Sequence, residues 1–220
     1  MKRNLIFSPE YIEFEQSSNP RTREKLRYAV AILETVQPIP TKFVKKLTNT
    51  DFYELRVSVD NEVRVILFSA DNENINLASS VILLNGFVKK STKDYDKKIA
   101  MSTTNNRLTA EELQKLRQTD FSKKPGFVKA ETVLAKEVGE VGTPERAEFD
   151  AKARAWYYGE MLRERRKELG MTQKELAERV GRERTYINRI EKGETDLQLS
   201  SFIRIAEALG IMLRLDVNLA

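Results

Sequence analysis

Five side chains in the first hundred residues have types and positions suited to phosphate chemistry. They stand on or just after segments with strand-like alternation, and they are Arg56, Arg64, Lys89, Lys90 and Tyr95. Guanidinium and ammonium groups stabilise the negative charge that develops on a reacting phosphate, and a tyrosine can transfer a proton when its pKa is shifted. The sequence holds no histidine and no cysteine, which excludes imidazole bases, histidine-ligated zinc and thiolate nucleophiles. Any catalysis must therefore use lysine, arginine, tyrosine, aspartate or glutamate, and we predict no metal and no cofactor.

The relative positions of the two arginines follow from the hydrophobic pattern of two strands. The first strand covers 52–59, Asp60-Asn61-Glu62 has the composition of a turn, and the second strand begins at 63. Their apolar residues are Leu55, Val57, Val59, Val63, Val65 and Leu67. A three-residue loop puts all six on one face and leaves Arg56 and Arg64 together on the other, whereas a two-residue loop would mix Arg64 with the apolar side chains. We therefore predict the three-residue loop.

These strands belong to an α+β pattern that covers residues 1–90. A strand at 4–8 precedes helical segments at 9–18 and 21–36, and a third strand is predicted at 75–85, with Gly86 and Phe87 ending the sheet. A polar stretch follows, in which Met101 with Ser-Thr-Thr-Asn-Asn resembles the start of a second reading frame. We predict a domain at 1–100, a linker at 101–106, a helical region at 107–155 and a last domain at 156–220.

The pattern after residue 106 is all-α, with a strand at its end. Helices are predicted at 144–169, 172–180, 183–191 and 200–209, and residues 211–219 alternate as a strand does. Thr172 and Glu175 form the capping sequence Thr-x-x-Glu, and Gly181 permits a tight turn before the next helix. Two short helices joined in this way are typical of a helix-turn-helix motif.

The helix at 183–191 has an outer face suited to DNA. That face carries Arg184, Thr185, Asn188 and Arg189. Arginine and asparagine are the side chains that pair bidentately with guanine and adenine in the major groove. The spacing therefore predicts a recognition helix that reads operator DNA.

The motifs around this helix resemble the repressor-type (XRE/Cro) helix-turn-helix family. They are Leu-Arg-x-x-Arg, Gly-Met-Thr-Gln-x-Glu-Leu-Ala, Tyr-Ile-x-Arg-Ile-Glu-x-Gly and Ile-x-Glu-Ala-Leu-Gly. The resemblance implies that Gln173 contacts phosphate or base and that Glu191 is structural. Residues 101–220 as a whole, including the run from Gly142 to Phe149, resemble a HigA-type antitoxin.

The first region resembles the HigB-type branch of the RelE toxin superfamily. The residues that carry this are Glu54-Leu55-Arg56, Val63-Arg64-Val65, the run from Asn85 to Lys90, and Tyr95. The resemblance implies a small antiparallel sheet with N-terminal helices and an mRNA endoribonuclease that works on the ribosome. It implies catalytic roles for Arg56, Arg64, Lys90 and Tyr95, with Asp94 as a rival to Tyr95 for the final role. Lys45, Lys46 and Lys89 would then bind the RNA backbone.

Structural roles for the same cations remain open at this stage. Glu54 is close enough to pair with an arginine, and lysines at a strand end often protect a sheet edge. Two functions are therefore compatible with the sequence. The first is a toxin followed by its antitoxin, natural or constructed as one chain, in which the antitoxin neutralises the toxin and represses its own operon. The alternative is a transcriptional regulator with a catalytically inert RelE-like domain that binds a partner.

Composition limits the partners and the location. The net charge is +5 over 220 residues, which is compatible with mRNA and operator DNA. Apolar runs are too short for a membrane span or a secretory signal, so we expect a cytoplasmic protein without a membrane partner.

The alternating strand at 211–219 suggests a homodimer. Within the antitoxin-like region, we expect residues 108–127 to contact the toxin-like region through Leu113, Leu116, Phe121 and Phe127.

Overall fold

The computed structural model describes residues 2–59, 61–90, 95, 109–195 and 198–212. Within them the chain forms two compact units, residues 1–147 and residues 148–220. The first unit is α+β and the second is all-α. Over the described residues, no helix is both long and apolar enough to cross a membrane.

The first unit is built on a six-stranded sheet. Its strands are β1 (Asn4–Phe7), β2 (Val44–Lys46), β3 (Phe52–Ser58), β4 (Glu62–Ser69), β5 (Ser80–Lys89) and β6 (Val128–Lys129), in the order β2-β3-β4-β5-β1-β6. β1 runs parallel to β5 and the other pairs are antiparallel. The expectation of a purely antiparallel sheet is therefore wrong. The chain leaves β1 through two helices and returns beside it, and such a long crossover allows parallel pairing.

The hairpin of β3 and β4 has the predicted three-residue loop. Ser58 lies opposite Glu62, Leu55 lies opposite Val65, and Arg56 lies directly opposite Arg64. The loop is residues 59–61, one position earlier than the composition suggested, because Glu62 already belongs to β4. The two arginines share one face of the sheet, as predicted.

Helices α1 (Pro9–Ser17) and α2 (Pro20–Thr35) accompany the sheet in the first unit. Each starts at a proline behind a side-chain cap, Ser8 for α1 and Asn19 for α2, which satisfies an amide that the first turn leaves unpaired. α1 packs on β5, where the Phe14 ring occupies the space beside Gly86. A β-carbon there would stand 2.1 Å from Phe14 Cδ1, so only glycine fits.

This contact explains an incorrect prediction. The third strand was expected at 75–85, with Gly86 and Phe87 ending the sheet, but β5 covers Ser80–Lys89 and includes both residues. Glycine usually weakens a strand, and here it permits close approach of a helix instead. The short strand β2 was also not delimited from the sequence.

Residues 109–147 complete the first unit. They form α3 (Ala110–Gln118), a 3-10 turn at Phe121–Lys123, the strand β6, and α4 (Ala130–Val138). Thr109 and Glu112 form a capping box at the start of α3. β6 pairs with β1 at the sheet edge, so the part of the chain that resembles an antitoxin contributes a strand to the sheet of the part that resembles a toxin.

The second unit contains most of α5 (Pro144–Glu168), followed by α6 (Gln173–Arg179), α7 (Arg184–Glu191) and α8 (Leu199–Ala208). All four helices begin and end within one residue of the predicted bounds. Their core includes Leu176, Ile187, Ile190, Ile205 and Leu209. The predicted strand at 211–219 falls outside the described residues apart from 211 and 212.

Candidate functional site

The arginine pair of β3 and β4 is organised by one buried carboxylate, Glu54. Glu54 is 1% exposed. Its Oε1 accepts a hydrogen bond from Arg56 Nε at 2.6 Å, and its Oε2 lies 3.7 Å from Arg64 Nε. A third donor, the Tyr95 hydroxyl, bonds to the same Oε2. One carboxylate therefore fixes two guanidinium groups and a phenol, which are three of the four predicted catalytic groups.

Arg64 is the more firmly held of the two arginines. Its Nη2 bonds to Glu62 Oε2 at 2.7 Å and its Nη1 donates to the Val63 carbonyl at 2.9 Å. Its side chain is 8% exposed, against 33% for Arg56. Lys89 Nζ lies 3.6 Å from the same Glu62 oxygen, so Arg64 and Lys89 share this carboxylate. The result is a compact patch of alternating charges at one end of the sheet face.

Tyr95 lies between this patch and an aromatic neighbour. Its ring is tilted against Phe87, with centroids 6.1 Å apart, and Lys89 Nζ lies 5.2 Å from the Tyr95 centroid. Burial first, and then the hydrogen bond to Glu54, raises the pKa of Tyr95 well above its ordinary value. The phenol therefore keeps its proton at neutral pH and would give it up only to a strongly basic atom such as a departing alkoxide oxygen. Asp94, the rival of Tyr95, is outside the described residues.

The three remaining lysines occupy different positions. Lys45 lies opposite Glu54 in the β2–β3 pair and so shares the arginine face. Lys46 lies opposite Tyr53, on the other face, with Nζ 6.0 Å from the Tyr53 centroid. Lys90 follows β5 and is exposed. The structure thus brings Lys45 and Lys89 to the arginine face and separates Lys46 from it.

Beyond this polar end, the same sheet face is apolar and covered. A buried cluster there includes Phe52, Ile66, Phe68, Ile82 and Phe87. Packed with it are four side chains of the antitoxin-like region, Leu113, Leu116, Phe121 and Phe127. The predicted contact between residues 108–127 and the toxin-like region is confirmed for these residues.

The second candidate site is the outer face of α7. Arg184, Thr185 and Arg189 are exposed, while Asn188 is half-buried. Ile187 and Ile190 point into the core and fix the rotation of the helix. Glu183, just before α7, accepts a hydrogen bond from the Thr185 hydroxyl at 3.2 Å. Two arginines and a threonine are therefore presented to solvent on a firmly seated helix.

A buried ion pair supports this face from behind. Arg166 binds both oxygens of Glu191, Nε at 2.6 Å and Nη2 at 2.8 Å, and Glu191 is 2% exposed. The hydrogen bond to Glu191 raises the pKa of Arg166 further. Gln173 Nε2 donates to Glu191 Oε2 at 2.9 Å and lies 3.4 Å from Asn188 Oδ1. These contacts give Glu191 a structural role, because it joins α5 and Gln173 to α7.

Two separate parts of the chain match known protein families. Residues 162–214 match the family described as helix-turn-helix. An uncharacterized HTH-type transcriptional regulator from Methanothermobacter thermautotrophicus is 56% identical over 50 residues, which are 23% of this chain and 72% of that protein. The chain belongs to this helix-turn-helix regulator family.

The region before the helix-turn-helix domain matches a different family. Residues 14–107 match the family described as phage derived protein Gp49-like (DUF891). That family belongs to the RelE-like toxin superfamily, whose members are endoribonucleases. The two matches in one chain support a fused toxin–antitoxin-like protein.

A solved structure also resembles part of the chain. It is the restriction-modification controller protein C.AhdI from Aeromonas hydrophila, 33% identical, with a TM-score of 0.27. The match covers 27% of this chain and 91% of that protein.

Sequence reasoning undervalued Glu54 in the Gp49-like region. Glu54 was recognised only as a pairing partner for an arginine, whereas it contacts Arg56, Arg64 and Tyr95 together. Glu54 and Arg56 are two positions apart in β3, and this spacing predicts that they share a face. The contact of Tyr95 with Glu54 could not be predicted from local spacing, because Tyr95 is distant in the sequence. Over the described residues, no group of three or more acidic side chains is arranged to hold a metal ion.

Proposed function

We propose that this chain is a type II toxin–antitoxin system in one polypeptide. The toxin-like part cleaves mRNA on the ribosome, and the antitoxin-like part neutralises it and represses transcription at its own operator. The observation that carries the proposal is the grouping of Arg56, Arg64 and Tyr95 around Glu54 within a Gp49-like region. A protein that acts on ribosomal mRNA and on its own operator would work in the cytoplasm.

In the proposed reaction, the 2′-hydroxyl of the RNA attacks the neighbouring phosphorus. The bond from O2′ to phosphorus forms, the bond to the 5′-oxygen breaks, and the products are a 2′,3′-cyclic phosphate and a 5′-hydroxyl. Arg56 and Arg64 stabilise the charge on the phosphorane. Lys90, at the end of the same strand as Lys89, adds positive charge near it.

Proton transfer is divided between Glu54 and Tyr95. The phosphate competes with Glu54 for the guanidinium groups, and a carboxylate released from them accepts the 2′-hydroxyl proton. The protonated phenol of Tyr95 donates to the departing 5′-oxygen. Afterwards the proton passes from Glu54 to Tyr95 along their hydrogen bond, which restores both groups.

Lys45 and Lys89 bind backbone phosphates on the arginine face, and Lys46 binds the backbone from the other side of β2.

The DNA-binding part acts through α7. Arg184, Asn188 and Arg189 read bases, Thr185 and Gln173 contact phosphate or base, and two copies bind the two halves of an operator. Apolar side chains exposed on the second unit support self-association as a homodimer, among them Leu199 at 70% and Met212 at 80% exposure.

The decisive experiment expresses residues 1–100 in cells, alone and together with residues 101–220. The proposal requires growth arrest and cleaved mRNA from residues 1–100 alone, and normal growth when the second piece is present. Arg64→Ala in residues 1–100 should be harmless at equal soluble yield. Harmless expression of the soluble wild-type piece would contradict the endoribonuclease proposal.

One observation favours the alternative, a regulator whose RelE-like domain is inert. Both arginines are already paired with carboxylates, Arg56 with Glu54 and Arg64 with Glu62. A domain that has lost catalysis would keep such pairs for stability. The expression experiment separates the two functions, because an inert domain does not cleave mRNA in any combination.

A further inference from the structure

Helix α3 lies on the face of the sheet that carries the arginine cluster. Its Leu113 and Leu116 pack on the cluster that includes Ile66 and Phe87. Phe87 lies opposite Arg64 in the pairing of β4 with β5, and opposite residues share a face. Since α3 begins beyond the Gp49-like match at 14–107, it belongs to the antitoxin-like part of the chain.

Few buried contacts hold α3 on the sheet. None of its nine residues is buried, and Leu113 and Leu116 are only half-buried. A polar tether joins Arg117 Nη1 to Glu73 Oε1 at 3.4 Å, with Glu73 itself exposed. Elements with few buried contacts open locally at a low cost compared with global unfolding. The helix can therefore leave the face while the rest of the unit stays folded.

The segment after the helix is held much more firmly. Phe121 is 5% exposed in the cluster, and β6 pairs with β1. Ala130 and Leu134 of α4 are buried, and Arg146 binds both oxygens of Glu131 at 2.9 and 3.1 Å. This segment, residues 121–147, stays on the sheet when α3 opens.

We propose that α3 (Ala110–Gln118) is a releasable flap over the apolar part of the arginine face, next to the Glu54 cluster, and that residues 121–147 anchor it. The proposal rests on the proposed function and specifies its regulation. Neutralisation is then local. Opening the flap exposes the face to mRNA without separating the antitoxin-like part from the toxin-like part, so one chain can switch repeatedly between closed and open states.

The test uses the full-length chain with the flap weakened. Leu113→Asp with Leu116→Asp places two charges on the packed side of the helix. Gln114→Asp with Gln118→Asp is the matched control, because it adds the same charges to exposed positions of the same helix. The two measurements are hydrogen exchange of the amides in 110–118 and cleavage of mRNA on a programmed ribosome.

We expect the leucine variant to speed amide exchange at 110–118 by about tenfold or more, because the free energy of local opening becomes smaller. Exchange in β3 and β4 should stay slow. Cleavage should rise by a similar factor over wild type and the matched control, and Arg64→Ala in the leucine variant should abolish it.

Unchanged exchange at 110–118 would overturn the proposal, because the two leucines would then not hold the helix. Faster exchange without cleavage would also overturn it, provided that residues 1–100 arrest growth through cleaved mRNA. If residues 1–100 are soluble and harmless as well, the failure lies in the proposed endoribonuclease function, and the flap as its regulator is overturned with it.

Discussion

Two buried glutamates, one in each unit, organise the candidate sites in opposite ways. Glu54 and Glu191 are almost equally buried, at 1% and 2% exposure. Glu191 binds Arg166 with both oxygens, and Arg166 also donates to the Met171 carbonyl at 2.7 Å. Glu54 divides its oxygens among Arg56, Arg64 and Tyr95, and the Arg56 side chain remains one-third exposed.

The difference indicates what each carboxylate is for. A bidentate pair closed off from solvent maintains a fold, since breaking it leaves a buried charge without compensation. Under the proposed function, a carboxylate that is shared among three donors would exchange one of them for a phosphate. The cations that would meet a nucleic acid in the second unit are different again, because Arg184 and Arg189 are exposed in front of the Glu191 pair rather than bound to it.

The largest expected effect is on stability. Glu191→Ala should lower the free energy of unfolding of the second unit by about 3–5 kcal/mol, because Arg166 is left charged and buried. Glu54→Ala should cost the first unit less, since Arg56 can turn to water. Chemical denaturation of both variants of the full chain, followed by the Trp156 fluorescence and by circular dichroism, measures the two losses.

A double variant controls for this interpretation. Glu191→Leu with Arg166→Met replaces the pair by apolar side chains of similar volume and should recover most of the stability. If Glu54→Ala is as damaging as Glu191→Ala, the contrast between a structural pair and an exchangeable one is wrong.

The next effect concerns catalysis by the Glu54 cluster. Arg64→Ala should slow mRNA cleavage on about the 100-fold scale, as the loss of a transition-state donor does, while ribosome binding changes less. Arg21→Ala, an exposed arginine of α2 outside the Glu54 cluster, is the control. The assay measures mRNA cleavage on a programmed ribosome, either by residues 1–100 or by the full chain with Leu113→Asp and Leu116→Asp. Activity that survives in Arg64→Ala, or that a chelator removes from wild type, would contradict the arginine mechanism.

Much of the structure around Glu54 and Glu191 could be predicted from the local sequence. Alternation on β3 and β4 fixed the common face of Arg56 and Arg64, because a shift of one residue would have placed a charge in the core. In the second unit, caps and glycines delimited α6 and α7 within one residue. Both successes rest on interactions between residues close in sequence.

The failures involve partners distant in sequence. The parallel pairing of β1 with β5 and the addition of β6 depend on which strands meet after the chain has crossed the sheet, and alternation within a strand does not encode this. Gly86 was taken as a strand end because the Phe14 ring that occupies its space lies 72 positions away in the sequence. The convergence of Tyr95 on Glu54 is of the same kind.

A third prediction uses a titratable neighbour of the Glu191 pair. Burial raises the pKa of Glu160 to about 7, although Arg163 binds it at 2.5 Å. The folded unit then holds a proton that the unfolded chain releases near pH 4.5, so this contribution to stability is complete at acidic pH and is lost as pH rises to about 7. Glu160→Gln should therefore gain roughly 1–3 kcal/mol over wild type between pH 5 and pH 8. Parallel pH dependences of unfolding in the two proteins would show that Glu160 titrates normally.

A fourth prediction compares the outer face of α7 with another exposed position of the second unit. Arg184→Ala or Asn188→Ala should reduce discrimination between operator and altered operator by roughly 1–3 kcal/mol. Arg154→Ala, at an exposed arginine of α5, should leave this discrimination unchanged. Binding to variant operators at several salt concentrations measures both, because phosphate contacts appear in the salt slope and base contacts do not. Wild-type selectivity in both α7 variants would show that another surface reads the DNA.

The smallest expected effect compares two capping boxes with the same sequence pattern. Thr172 caps α6, whose Leu176 and Ala177 are buried, and Thr109 caps α3, which buries no residue. Thr172→Ala should lower the free energy of unfolding of the second unit by about 1 kcal/mol. Thr109→Ala should leave the unfolding of the first unit unchanged and speed amide exchange only within 110–118, because α3 opens separately from the rest of the unit. Thr48→Ala, a substitution at an exposed position outside both helices, provides the baseline. If Thr109→Ala destabilises the whole first unit as much as Thr172→Ala destabilises the second, then α3 unfolds together with the sheet and cannot act as a flap.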